Sequence, residues 1–272
     1  MENHVSGLTL LVNHYLGHFA LALLSLLHIQ PNNLEVPIPE HVVMALVVLV
    51  LATVLALWLR SRLSVEKPGA AQQLAEFLLR NPLGVGISDI LEENSGHEWQ
   101  RYVPMVGSVA IFVLFSNLLG VFPVFTSPTA VVTVPFAGAI VTFLYFNWHG
   151  IRHHGGWGYL KSFTGGLHWV LGIPIFVVEI ISTTARLLSL TVRLWANIFA
   201  SDIIYGLFLS LFAGLAAWGW EKSPVLGVIF GIFPAIIPLA FIVLHVLVSV
   251  IQAYVFTILP AVYVGMATAD EH

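Results

Sequence analysis

Long apolar runs, broken by a few polar residues at helical spacing, dominate this chain. A bilayer core of about 30 Å takes roughly 20 apolar residues of helix. Val42–Leu59 (VVMALVVLVLATVLALWL) meets that need without interruption and is followed by Arg60 and Arg62. It predicts a span at about 42–60. Residues 103–125, interrupted by Asn117 and Gly120, predict a second span. Residues 130–148, closing on Tyr145, Asn147 and Trp148, predict a third. Residues 168–212 and 224–266 are each too long for one upright span, so they either split or cross the bilayer steeply tilted. The pattern predicts an all-α polytopic membrane protein of about five transmembrane helices, the last two long and tilted as a hairpin.

Two further segments have mixed patterns. Residues 8–28 are apolar but contain Asn13, His14, His18 and His28. They read as an external amphipathic helix, with a sixth span as the alternative. Residues 70–80 (AAQQLAEFLLR) place Leu74, Phe77 and Leu78 on one face, after a turn at Pro68-Gly69. They read as a helix lying on the cytoplasmic membrane surface. The chain divides into an external segment, 1–40, and a membrane domain, 41–272. No internal repeat or low-complexity linker is visible.

Composition agrees with lipid as the solvent. Hydrophobic residues make up 58% and charged residues 9%, with mean hydropathy +0.92. A soluble domain carries about 25% charged residues. The chain has no cysteine, which excludes disulfides, iron–sulfur clusters and thiolate metal sites. The first Lys or Arg is Arg60, so an ordinary signal peptide, with its basic start, is not expected.

The distribution of charge predicts orientation. Arg60, Arg62, Lys67, Arg80 and Arg101 fall in residues 60–102, and Arg152 and Lys161 in residues 149–167. Residues 1–41 hold no Lys or Arg, and the link 217–224 holds only Lys222. By the positive-inside rule the first two segments face the cytoplasm. The N-terminus then lies outside and the C-terminal Asp270-Glu271-His272 in the cytoplasm. Trp58, Trp99, Trp148, Trp157, Trp169, Trp218 and Trp220 stand near predicted helix ends, as in an interfacial aromatic belt.

Candidate chemistry lies within the two long segments. In EIISTTARLLSLTVRLWANIFASD, Glu179, Arg186 and Arg193 recur about every two helical turns and share a face. Ser189, Arg193 and Asn197 continue that face at i, i+4 and i+8. An arginine at the bilayer centre costs about 2.5–3.5 kcal/mol on insertion scales, so these side chains must meet protein or water. Glu179 can neutralise Arg186. Arg193 has no carboxylate one turn away, so its partner must come from elsewhere in the chain or from another subunit. On the last segment His245, Ser249 and Gln252 sit at i, i+4 and i+7 on one face. Packed stripe to stripe, the two helices would enclose a hydrated path, with Asp202 as a partner for His245. An imidazole titrates near neutrality and can relay a proton.

These residues resemble a known family, the a subunit of F-type ATP synthases, over nearly the whole chain beyond about residue 40. SLTVRLWANIFASD resembles the family's essential-arginine helix, with Ser189, Arg193, Asn197 and Asp202 at the matching spacing. HVLVSVIQAYVFTILPAVYVGMATADEH is similar to its C-terminal helix, including His245, Gln252, Tyr254, Tyr263 and Glu271-His272. Pro68-Gly69, Asn117 with Pro123, and Pro128-Thr129-Ala130 also resemble family landmarks. Val131 and Thr133 stand where the family often carries Asp and Asn, and Gly120 where some members are acidic.

The resemblance implies a non-catalytic, proton-translocating stator subunit in a bacterial plasma (inner) membrane. The implied partners are a c-subunit ring, a b-subunit peripheral stalk, the remaining synthase subunits and lipid, with no nucleic acid. Two offset half-channels would lead to the c-ring carboxylates, separated by Arg193. Glu179, Asp202 and His245 are expected on the outward half, with Ser189 and Asn197 hydrating the path and Gln252 holding the guanidinium. Arg186 would be secondary. No cofactor or metal is implied, and no GxxxxGK[ST] loop is present for nucleotide. Two rival readings remain at this level. A self-contained transporter would show internal repeats or broken helices in both halves, whereas intramembrane charge here is confined to the C-terminal half. A haem or metal enzyme would need more than the one histidine, His245, that lies inside a span. His153-His154 beside Arg152 reads as a solvated interfacial turn.

Overall fold

The structure is a computed structural model that describes residues 6–26, 28, 33, 35–122, 125–164 and 169–269. Pro123, Asp270, Glu271 and His272, singled out above, lie outside the described residues. The protein is all-α. Among the described residues eight α-helices follow in order: α1 (Gly7–Leu26), α2 (Glu40–Ser61), α3 (Ala70–Leu79), α4 (Ile87–Ser95), α5 (Val103–Leu119), α6 (Thr133–Ser162), α7 (Trp169–Lys222) and α8 (Pro224–Thr268). Short 3-10 turns cover Gly96–Arg101 and Pro128–Ala130.

Two compact units share these helices. The first comprises Met1–Leu51, Phe115–Val134 and Ala196–Ser249. The second comprises Ala52–Leu114, Pro135–Trp195 and Val250–His272. Both are inverted relative to a water-soluble fold. Polar residues such as Thr9, Ser116, Asn117, Thr129, Ser249 and Gln252 are buried, while Leu, Val and Ile cover the outside. A lipid-facing surface explains this, because hydrocarbon penalises exposed polar groups rather than apolar ones. Four described helices are long and apolar enough to cross a membrane: Gly7–Leu26, Glu40–Ser61, Gly172–Lys222 and Pro238–Thr268. The helix Val103–Leu119 is apolar but shorter.

Helix α1 differs from the amphipathic pattern expected for residues 8–28. Its buried residues are Thr9, Asn13 and Gly17, and its exposed face carries Leu10, Leu11, Tyr15 and Phe19. Asn13 explains the inversion. Its Nδ2 donates to the carbonyl oxygens of Thr9 (2.9 Å) and Ile38 (3.1 Å), and its Oδ1 accepts from Ile38 N (2.9 Å). The polar side chain thus pairs with protein backbone and leaves the apolar face outward.

The long C-terminal segments do not split. α7 has 54 residues and α8 has 45, so at 1.5 Å per residue they are roughly 80 and 68 Å of helix. Each exceeds an upright crossing of about 30 Å more than twofold. The Pro/Gly-rich stretch 211–240 is helical on both sides of a single intervening residue, Ser223. The Ser223 hydroxyl accepts from Leu226 N at 3.2 Å, an N-cap, and Pro224 fills the first helical position, where no N–H is needed. Glycine makes the corner possible. A Cβ on Gly219 would stand 2.9 Å from the Leu226 carbonyl oxygen, and one on Gly227 would stand 2.4 Å from the Trp220 ring. The two helices then run antiparallel in the first unit, where Trp218 meets Phe230 and Tyr205 meets Phe241.

Helix α6 outlasts the span expected at 130–148. It continues to a break at Gly155 (φ 74°), beyond which a short helical segment folds back. The Tyr159 ring lies where a Cβ on Gly150 would be, 2.3 Å from its Cε2, and its hydroxyl donates to Asn147 Oδ1 at 3.0 Å. Elsewhere in the second unit, α3 and α4 are tied through Arg80. Its Nε lies 3.1 Å from Asp89 Oδ1, it pairs with Glu92, and its guanidinium lies 5.8 Å from the Trp99 ring centre. The Asn81 N–H donates to Asp89 Oδ2 at 2.9 Å. That bond above all, with Arg80 adding, holds the Asp89 carboxyl below the ordinary aspartate range.

Candidate functional site

The polar residues of α7 and α8 gather into two clusters, one in each unit. In the first unit the centre is His245, which is 8% exposed. Its Nε2 lies 3.0 Å from the main-chain oxygen of Asn117 on α5, and its Nδ1 lies 3.3 Å from Ser201 Oγ on α7. The carbonyl can only accept, so Nε2 carries the proton and Nδ1 is free to accept from Ser201. Ser249 Oγ donates back to the His245 carbonyl at 2.7 Å, a bond one turn up α8. The network continues from Asn117, whose Oδ1 accepts from Thr129 Oγ1 at 2.6 Å. Thr129 meets Ser127 at 2.7 Å, and Ser127 donates to the Ser116 carbonyl at 3.0 Å. Ser116 Oγ and Asn117 Nδ2 are buried without a partner among the described residues. Unpartnered buried polar atoms are costly unless water or a passing ligand uses them. Gly120 borders this cluster, and a Cβ there would sit 3.0 Å from Ser127 Cβ and 3.5 Å from His245 Nε2.

The second unit holds the expected Glu179–Arg186 pair. Arg186 Nη2 lies 3.5 Å from Glu179 Oε1, and Thr183 Oγ1 donates to the same oxygen at 3.4 Å. The Arg186 guanidinium also lies 5.5 Å from the ring centre of Tyr263 on α8, a cation–π distance. A cavity of about 260 Å³ opens beside the pair, lined by His154, Tyr159, Glu179, Thr183, Arg186 and Ala267 among others.

Arg193 lies within electrostatic range of Tyr263, the ring that Arg186 also meets. It is exposed, and Ser189 Oγ at 3.3 Å is its one hydrogen-bond partner among the described residues. None of the ion pairs among the described residues includes it. Its neighbours Leu190 and Leu194 are buried, so the adjoining side of α7 packs on protein while Arg193 stays exposed. In the same unit Gln252 is 3% exposed, and its Oε1 is buried without a partner among the described residues.

His245 meets Ser201 on α7, and Asp202, the next residue, lies within electrostatic range of His245. Glu179 belongs to the second unit, and Asp202 and His245 to the first. Asn197 is exposed one turn beyond Arg193. Ser116, Ser127, Thr183 and Ser201 were not anticipated as site residues. Short hydroxyl side chains in apolar helices carry no charge signal, and those at 116 and 127 are joined through a loop rather than by helical spacing.

Residues 41–265 match the model of the ATP synthase A chain family. The chain belongs to that family. Among its relatives, the ATP synthase subunit a of Koribacter versatilis (strain Ellin345) is 35% identical over 269 residues, covering 99% of each chain. That of Solibacter usitatus (strain Ellin6076) is 36% identical over 237 residues, 87% of this chain and 90% of the relative. The ATP synthase subunit a 1 of Syntrophotalea carbinolica is 33% identical over 232 residues, 85% and 87% of the two chains. Membership makes this chain a membrane-sector component with a role in proton transport.

Proposed function

We propose that the chain forms two offset half-channels leading to the carboxylates of a c-subunit ring, with Arg193 as the barrier between them. The observation that carries this reading is the guanidinium of Arg193. It is exposed, takes a serine hydroxyl as its hydrogen-bond partner, and forms no ion pair among the described residues. Leaving it against lipid is costly, so a neighbouring subunit must supply a carboxylate. An opposite charge at short range favours the ionised carboxylate. A c-ring carboxylate therefore loses its proton on approaching Arg193 and must regain one from a half-channel before re-entering lipid. The membrane potential contributes about 2.3 kcal/mol per charge per 100 mV, and a direct leak past Arg193 would dissipate it.

The two polar clusters supply the half-channels in this reading. The His245–Asn117–Thr129 network serves one, with Asp202 at hand on α7. The Glu179–Arg186 cavity serves the other, at the end of α8. Nucleotide chemistry belongs to partner subunits, the b-subunit stalk anchors the stator, and the bacterial inner membrane is the setting. The N-terminus faces outward and the C-terminus the cytoplasm, as the Lys/Arg distribution demands. Cysteines placed at Gln30 and Ala269 would then label from opposite sides.

Proton-driven ATP synthesis in membranes carrying Arg193→Ala tests the central assignment. Synthesis is expected to be lost, with passive proton leak through the assembled membrane sector. Wild-type synthesis in this variant would overturn it.

A further inference from the structure

The back-folded end of α6 has no part in the reading above. Gly155, at φ 74°, turns the chain, and the Tyr159 ring seats on Gly150 while its hydroxyl bonds Asn147. This fold-back makes one wall of the cavity that Glu179, Thr183 and Arg186 line from α7. His154, the last residue before the turn, lines the same cavity and is partly open to solvent. At about 260 Å³ the cavity has room for several water molecules, and its walls offer them a carboxylate, hydroxyls and an imidazole.

We propose that His154 is a proton relay between this cavity and bulk water on the side where α8 ends. The inference rests on the half-channel reading and adds the group that exchanges protons at the channel's mouth. An imidazole takes up a proton on one ring nitrogen and releases one from the other, so each passage returns it to its starting state. Two of the three surrounding elements carry charged or titratable groups. From α6, His153 lies edge-on at 4.8 Å, Arg152 and Lys161 are close in sequence, and Tyr159 lines the cavity. From α7, Glu179 and Arg186 face the cavity as a neutralised pair. From α8 and the residue that follows it, Met266, Ala267 and Ala269 face it, and none of them titrates. Glu179, held by Arg186 and Thr183, is tied up as an ion-pair partner, which leaves His154 as the exchangeable group.

The test uses the complete synthase in inverted membrane vesicles, which expose this face to the medium. ATP-driven proton pumping is measured for wild type, His154→Phe, His154→Gln and Arg193→Ala across a range of external pH. Both His154 variants should pump roughly threefold to tenfold more slowly, well short of the 10²–10⁴ of a committed acid–base group. The deficit should grow as the medium becomes alkaline, where free protons are scarce and a collecting group matters most. Added imidazole should restore part of the rate. A slowdown equal at every pH and untouched by imidazole would mean a structural role and would overturn the relay. So would wild-type pumping in both variants while Arg193→Ala is blocked. Normal pumping in Arg193→Ala would instead refute the half-channel reading beneath it.

Discussion

His245 Nε2 lies 3.0 Å from the carbonyl oxygen of Asn117, a residue 128 positions earlier in the chain. The bond fixes the tautomer of a buried imidazole and leaves Nδ1 to face Ser201. His245→Phe would strand both partners, at a cost of about 1–3 kcal/mol for a buried acceptor left unpaired. It should also slow ATP-driven proton pumping, and more strongly when combined with Asp202→Leu. Unchanged pumping in the double variant would remove both residues from the path.

Charge alone should not rescue position 193. Lysine keeps a positive charge but lacks the planar fork and loses its proton more readily when desolvated. Arg193→Lys is therefore expected to abolish coupled synthesis almost as fully as Arg193→Ala. Arg186→Ala should be milder, because Arg186 is already paired with Glu179 and stacked on Tyr263. Equal loss in Arg186→Ala and Arg193→Ala, measured as synthesis per assembled complex, would contradict that ranking.

Gly265 sets how closely α8 approaches the end of α4. A Cβ there would stand 1.9 Å from the Asn94 carbonyl oxygen, next to the Ser95 hydroxyl that donates to the Ala261 carbonyl at 3.1 Å. Backbone cannot swing aside as a side chain can, so Gly265→Ala should cost on the order of 1–3 kcal/mol, typical of overpacking. Thermal unfolding of the purified membrane sector reads this out. Gly138→Ala is the control, since nothing lies within 4 Å of its would-be Cβ. Equal melting of the two variants would refute the close-approach argument.

The Asp89 carboxyl, accepting from Asn81 N–H and Arg80, should make the α3–α4 junction sensitive to acid. Its folded value is depressed, so its stabilising contribution is complete above the ordinary aspartate value of about 3.9. The contribution is lost as pH falls through the lower folded value. The protection of the Asn81 amide, relative to its intrinsic exchange rate at each pH, should therefore be high at neutral pH and fall on strong acidification. Asp89→Asn should exchange faster at neutral pH, and protection equal to wild type there would count against the arrangement.

The elements that depend on local pattern were readable without coordinates. Val42–Leu59 could only be a membrane helix, because no other secondary structure satisfies the backbone of so long an apolar run in lipid. The faces carrying Arg193 with Ser189, and His245 with Ser249, follow from a 3.6-residue period. The Glu179–Arg186 pair follows from two turns of spacing and opposite charge. The family was legible for the same reason, since its marks are charges and amides within apolar helices.

What the sequence by itself determined, then, is which segments are helical, which face of each is polar, and that Arg193 needs a partner beyond its own helix. Only the tertiary structure decided which polar groups meet. That Asn13 is buried on α1, while His14 and His18 stay exposed, depends on the backbone of Ile38. That His245 pairs with Asn117 and Ser201 depends on where α5 and α7 come to lie. That Glu179 shares a cavity with His154 depends on the turn at Gly155. Helical periodicity constrains a residue only to a few turns of its own helix. A hydrogen bond across many tens of residues is set by packing and chain reversal, and no spacing within a segment encodes it.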